Sequence, residues 1–339
     1  MMKWKRFAAP IAAAAVLLAA TGCAAQPAST EQTGDDQLKI VATMFPQYDW
    51  VRQILGDKQQ DVQLTLLLDD GVDLHSYQPT AEDMIRISDC DLFIYVGGPS
   101  DEKWVEGVLA QSKNPDLQAL SLVELLGDGI KEEEFVQGME HVHEEEDDHD
   151  HEEEEEHSHG IDEHVWLSLK NAQLYCDAIA QAMAAADPQN AQTYQNNAEA
   201  YITQLGKLDA ECRQAVDRAK GNTLIFADRF PFRYLLDDYG LEYYAAFSGC
   251  SAETEASFET VSFLAQQTEQ LRVPGVLTIE GGSQKLAQTV VQNTTSKTQQ
   301  ILAMDSMQST SLKQAQEGTT YLSVMQDNLE ILKQALQGE

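Results

Sequence analysis

After Pro188 the chain runs to Lys220 with no further proline and a single glycine, Gly206. Apolar side chains recur at Tyr194, Ala198, Tyr201, Leu205, Leu208, Cys212, Ala215 and Ala219. Steps of three and four place them on one face of a helix. Asp187 before Pro188 predicts a capped start, and Gly221 predicts a stop. A helix of about 33 residues is roughly 50 Å long, enough to run from one lobe of a molecule to another. A helical hairpin broken at Gly206 is the alternative.

What lies on either side supports two lobes. Strand-like runs at Leu38–Thr43, Val62–Leu68 and Leu92–Val96 alternate with helical stretches at Pro46–Leu55 and Ala81–Ser88. A second set places strands at Thr223–Ala227, Leu241–Phe247, Val276–Ile279 and Gln300–Met304. Helices are expected at Phe258–Leu271, Gln284–Gln292 and Tyr321–Leu336. Alternation of this kind is the pattern of a parallel sheet with crossover helices. The expected fold class is α/β: two parallel-sheet lobes joined by one long rigid helix, the first lobe spanning 38–187, the helix 188–220 and the second lobe 221–339.

The N-terminus reads as a processing segment. Lys3, Lys5 and Arg6 precede an apolar run from Phe7 to Ala20, shorter than a bilayer span. The residues Ala20-Thr21-Gly22-Cys23 resemble a bacterial lipobox, which makes 1–22 a signal peptide and Cys23 the lipidated first residue of the mature chain. Gln26 to Gln37 is polar and aperiodic, and reads as a flexible tether. The net charge of −34 gives no electrostatic reason to bind nucleic acid, and no polybasic patch draws the chain to anionic lipid. Cys90, Cys176, Cys212 and Cys250 form no CxxC pair, which excludes a zinc ribbon and leaves disulfides or free thiols open.

Six of the eight histidines fall in one segment: His141, His143, His149, His151, His157 and His159. They alternate with Glu140, Glu144–Glu146, Asp147, Asp148, Asp150 and Glu152–Glu156. Residues 139–160 have no apolar period and are expected to be disordered. Imidazole with carboxylate suits loose, fast-exchanging contact with zinc. Only His75 and His164 lie outside that segment.

The residues around those two carry a family resemblance. His75 opens HSYQPTAED, which resembles the first histidine motif of the zinc/manganese solute-binding proteins of ABC transporters. His164 lies in DEHVWLSLKNA, which resembles their Asp-Pro-His-Val-Trp-Leu-Asp-Pro, with Glu163 and Ser168 departing from it. FRYLLDDYGLEY resembles the Phe-x-Tyr segment that opens their second lobe, and the acidic histidine insertion is typical of the zinc-uptake branch. The resemblance extends from Leu38 to the C-terminus. It implies metal in a cleft between lobes, with His75 and His164 as ligands and Glu280, in VLTIEGG, as a late carboxylate ligand.

One position departs from the pattern in a way that matters. Where family members carry His or Glu three residues before the Phe, this chain has Arg229. Guanidinium has no lone pair to donate. Asp228, Glu253, Glu255, a loop histidine or water are the candidates for the remaining ligand, and a salt bridge from Arg229 to a ligand carboxylate is a further alternative. The resemblance implies capture of Zn2+, with Mn2+ as alternative, by a monomer anchored outside the cytoplasm through Cys23, and delivery to an ABC permease and its ATPase. A surface adhesin or metal buffer is the competing class. A zinc hydrolase is disfavoured because the chain has neither HExxH nor Gly-x-Ser-x-Gly.

Overall fold

The computed structural model describes residues 37–69, 71–139, 160–251 and 255–336. The leader, Cys23, most of the tether, the histidine segment from Glu140 to His159, and Glu253 lie outside the described residues. The first half runs β1 (Leu38–Ala42), α1 (Phe45–Leu55), β2 (Val62–Leu66), α2 (Ala81–Ser88), β3 (Leu92–Tyr95), α3 (Glu102–Leu109), β4 (Gln118–Ser121) and α4 (Leu122–Leu126). Two long helices follow, α5 (Leu169–Ala186) and α6 (Ala191–Asp217). The second half runs β5 (Thr223–Phe230), α7 (Arg233–Tyr239), β6 (Glu242–Ser248), α8 (Phe258–Leu271), β7 (Gly275–Ile279), α9 (Lys285–Asn293), β8 (Gln300–Met304), α10 (Leu312–Gln316) and α11 (Tyr321–Leu336).

Each half builds one four-stranded, all-parallel sheet, in the orders β2-β1-β3-β4 and β6-β5-β7-β8. The two orders are the same arrangement repeated. Inner strands are covered on both faces and so bury successive residues: Ile40, Val41 and Ala42 of β1 are buried, and β7 is buried along its whole length. In open sheets of this kind, ligands bind beyond the carboxyl ends of the strands where the strand order reverses. The turn carrying His75 follows β2, Cys250 follows β6 and Glu280 follows β7. The pairing of β5 with β6 shifts register between Phe226 and Arg229, a bulge that re-aims Asp228 and Arg229 at the strand end.

The long helix is present but shorter than the sequence suggests. It spans 27 residues, about 40 Å. Tyr194, Ala198, Tyr201, Leu205, Leu208 and Cys212 form its buried face. Its start is Ala191, because Asp187 ties a turn instead, accepting hydrogen bonds from Asn190 Nδ2 at 2.6 Å and the Tyr194 hydroxyl at 2.7 Å. Gly206 does not break it. A Cβ there would meet only the end of the Gln173 side chain on α5, at 3.3 Å. The chain passes from the first sheet to the second through α6, and α5 packs along it.

The lobes share an apolar core. Trp50 on α1 packs its ring 5.6 Å from Tyr175 on α5 and 5.1 Å from Tyr321 on α11. The Tyr321 hydroxyl donates to the Trp166 carbonyl at 2.7 Å, and Trp166 Nε1 donates to the Ser306 carbonyl at 2.9 Å. Cys90, Cys176 and Cys212 are buried free thiols, and no disulfide occurs among the described residues. Trp50→Ala should cost about 3–5 kcal/mol. Urea denaturation should show the midpoint falling while far-ultraviolet and tryptophan signals still move in one shared transition; two separated transitions would contradict a shared core.

Candidate metal centre

His75 sits on a single 3-10 turn, Leu74–Ser76, whose first N–H groups need a cap. Asp73 provides it, its Oδ1 accepting the His75 backbone N–H at 3.0 Å. The other oxygen of the same carboxylate accepts from Arg229 Nη2 at 3.0 Å. Arg229 therefore reaches from β5 to the turn that carries His75 and acts as a brace.

The His75 ring is oriented by Glu163. Its Nδ1 lies 2.9 Å from Glu163 Oε1 and 2.9 Å from Ser100 Oγ. Glu163 is fully buried and also accepts from the Ser100 backbone N–H at 3.1 Å and from the Ser100 hydroxyl. It reaches this position across Gly98, where a Cβ would lie 2.4 Å from the Glu163 side chain. Burial pushes the Glu163 carboxyl up, yet the hydrogen bond and charge of His75 and the hydrogen bond of Ser100 hold it below its ordinary value.

His164 follows the same plan. It is fully buried just before the 3-10 turn Val165–Leu167 that leads into α5. Its Nδ1 and its backbone N–H both lie 2.9 Å from Asp162 Oδ1. Burial opposes a charged imidazole, but the charge and hydrogen bond of Asp162, with Glu163 and Glu133, outweigh it and raise His164 above its ordinary value. A carboxylate can only accept, so Nδ1 carries the proton in both rings and Nε2 carries the lone pair. Both Nε2 atoms are buried without a partner. The ring centroids are 5.3 Å apart at 65°.

A third donor completes the cluster. His75, His164 and Cys250 each present a ligand atom, all within 4.8 Å of one another. Cys250 lies just beyond the end of β6. Its backbone N–H donates to Glu133 Oε1 at 3.0 Å, and its sulfur lies 3.9 Å from Glu163 Oε1. Burial, and then the charges of Glu133, Glu163 and Asp162, push its thiol well above the usual range. Gly249 permits the approach, since a Cβ there would lie 2.8 Å from His164 Cε1 and 2.9 Å from the Phe230 carbonyl. Glu133 and Asp162 also frame the neck of the histidine segment, which an antiparallel bridge between Glu132 and Ile161 closes.

The other sequence candidates lie apart from this cluster. Glu280 accepts from Ser306 N–H and from the Ser306 hydroxyl, both at 2.7 Å, and is not in the three-donor group. Burial and then the neighbouring Asp305 raise its carboxyl well above its ordinary value. Asp228 accepts from the backbone N–H groups of Arg229 at 2.9 Å and Ile279 at 3.2 Å, and so locks the end of β5 to β7. Glu255 is exposed. Sequence reasoning missed Cys250, Asp162 and the orienting role of Glu163. The available signals were a thiol beside glycine at a strand end and an acidic residue where the motif has proline.

Three comparisons with known proteins identify the family. The family model described as zinc-uptake complex component A, periplasmic, matches residues 40–335. The chain is 32% identical over 314 residues to the zinc-binding lipoprotein AdcA of Streptococcus pneumoniae, covering 92% of this chain. It spans only 58% of that relative's length. It is 30% identical over 326 residues to the high-affinity zinc uptake system protein ZnuA of Bacillus subtilis, covering 96% of each. The zinc-bound ZnuA-like domain of S. pneumoniae AdcA superposes with a TM-score of 0.66 at 26% identity, over 89% of this chain and 99% of that domain.

Asp162→Asn keeps an acceptor for Nδ1–H but removes the charge. In the metal-free protein, the imidazole of His164 should titrate above an ordinary imidazole, near 6.5, and the substitution should move it down. Histidine NMR across a pH series reads this, and an unmoved His164 titration would show that Asp162 does not set it.

Proposed function

The chain belongs to the periplasmic zinc-uptake component A family, and from that premise we propose that its cleft captures zinc outside the cytoplasm and surrenders it to the permease of an ABC importer driven by a separate ATPase. Zinc is cargo in this reading, and the chain is a solute-binding protein rather than an enzyme. The observation that carries the reading is the pair of buried, unpartnered Nε2 atoms on His75 and His164. A buried acceptor without a partner costs about 1–3 kcal/mol, a cost that a bound cation removes. The carboxylates behind both rings fix the tautomer, as outer partners of zinc-binding histidines do. The names of the two relatives above and the zinc-bound neighbour support zinc, as does imidazole chemistry, since manganese favours oxygen donors. Manganese stays the alternative, because the manganese ABC transporter substrate-binding lipoprotein PsaA of S. pneumoniae is also similar, at 27% identity.

The remaining parts take roles around that site. Glu280 is the second-lobe carboxylate of this reading, and it joins by exchanging its Ser306 hydrogen bonds for the ion. The segment from Glu140 to His159 gathers metal weakly, from a neck that holds Glu133 and Asp162 beside the cluster. The leader 1–22 directs export, Cys23 carries the lipid, and the tether holds a monomeric two-lobed body near the membrane.

A ligand that binds only the folded chain stabilises it by about 4 kcal/mol at a thousandfold excess over Kd, or roughly 6 °C for a chain of about 300 residues. Thermal unfolding of a variant lacking 140–159 should show that upward shift with zinc. His75→Ala and His164→Ala should each lose most of it, and Glu280→Gln should lose less. A shift that survives in the double histidine variant would place the metal elsewhere.

A further inference from the structure

We infer that Cys250 is a third protein ligand to the captured ion, supplied by the second lobe in place of the donor that Arg229 cannot provide, and that its sulfur biases the site against manganese. The inference rests on the cleft reading of His75 and His164. Both Nδ1 atoms are committed to carboxylates, which leaves the two buried, unpartnered Nε2 atoms as the free imidazole donors.

The spacing suits one ion. Bonds of about 2.0–2.1 Å to nitrogen and 2.3 Å to sulfur put the donors of a tetrahedral zinc about 3.3–3.6 Å apart. One ligand atom from each of the three residues lies within 4.8 Å of the others, so side-chain rotations that bring the donors roughly 1–1.5 Å closer, with the two lobes held in place, assemble the face of a tetrahedron. The local backbone is built for that approach. Gly249 has no Cβ to strike His164 or the Phe230 carbonyl, and Glu133 holds the Cys250 N–H so that the residue stays over the cluster. Meanwhile the usual third position is diverted, because Arg229 spans to Asp73 and Asp228 is spent on backbone N–H groups. On binding, the sulfur–hydrogen bond breaks, the proton leaves to solvent and the metal–sulfur bond forms. Thiolate is a soft donor that suits zinc and cadmium, whereas manganese is better served by carboxylate and water.

The test is a cobalt titration of the full chain at one equivalent, with Cys250→Ser and Cys250→Ala beside it. Tetrahedral cobalt should give visible ligand-field bands together with a sulfur-to-cobalt charge-transfer band in the near ultraviolet. Both Cys250 variants should keep visible bands and lose the charge-transfer band. The band should also vanish in the His75→Ala, His164→Ala double variant. Loss of outer partners alone weakens metal sites by about 10–100-fold, so loss of this ligand should weaken zinc binding at least about tenfold while leaving manganese unchanged. Cobalt binding with no charge-transfer band, or with a band that survives in the Cys250 variants, overturns the role of Cys250 and leaves the histidine cleft standing. Visible bands that are unaltered by the double histidine substitution overturn the cleft reading itself.

Discussion

The spacing of the cluster depends on the apolar contact that crosses the two lobes. Trp50, Tyr175 and Tyr321 come from α1, α5 and α11, so helices of both halves bury one another's side chains. His75 and His164 belong to the first half and Cys250 to the second, and a shift of 1 Å between halves would change which donors one ion can reach. Close-packed interiors resist such a shift because voids and overlaps both cost energy. The brace from Arg229 to Asp73 adds register. Both side chains are about a quarter exposed, and a pair so placed adds little stability. Its consequence is positional, since Asp73 also caps the turn of His75.

The electrostatics of the cleft divide labour between donors and orienting groups. Asp162 and Glu163 sit behind the imidazoles and Glu133 behind Cys250. Their negative charge favours a cation in the cluster, although their hydrogen bonds to Nδ1 and to backbone N–H groups keep them occupied. The same charge raises the proton affinity of His164 and of the Cys250 thiol. Protons and metal therefore compete for the same atoms, and acidification should favour release.

Much of this was legible in the sequence because it is periodic or local. The stripe from Tyr194 to Cys212 marked the buried face of α6, and continuous apolar runs marked the strands. The motifs around His75 and His164 pointed to the two imidazoles of the proposed site, which the fold brings together. What was hidden depends on tertiary contacts. Asp187 looks like a helix cap until Tyr194 and Asn190 claim its carboxylate. Glu280 follows a strand, as expected of a cleft residue, but Ser306 holds its carboxylate. Cys250 is 86 residues from His164, and only the pairing of β6 with β5 and the missing Cβ of Gly249 bring them together.

The central claim is that one ion lies between two particular nitrogens. Crystals of the zinc-loaded protein, with diffraction recorded on either side of the zinc absorption edge, test it directly. The account predicts a single strong anomalous peak in the cleft, bonded to Nε2 of His75 and Nε2 of His164, with both Nδ1 atoms still on Glu163 and Asp162. A peak coordinated through either Nδ1, or one that lies away from both rings, would contradict it.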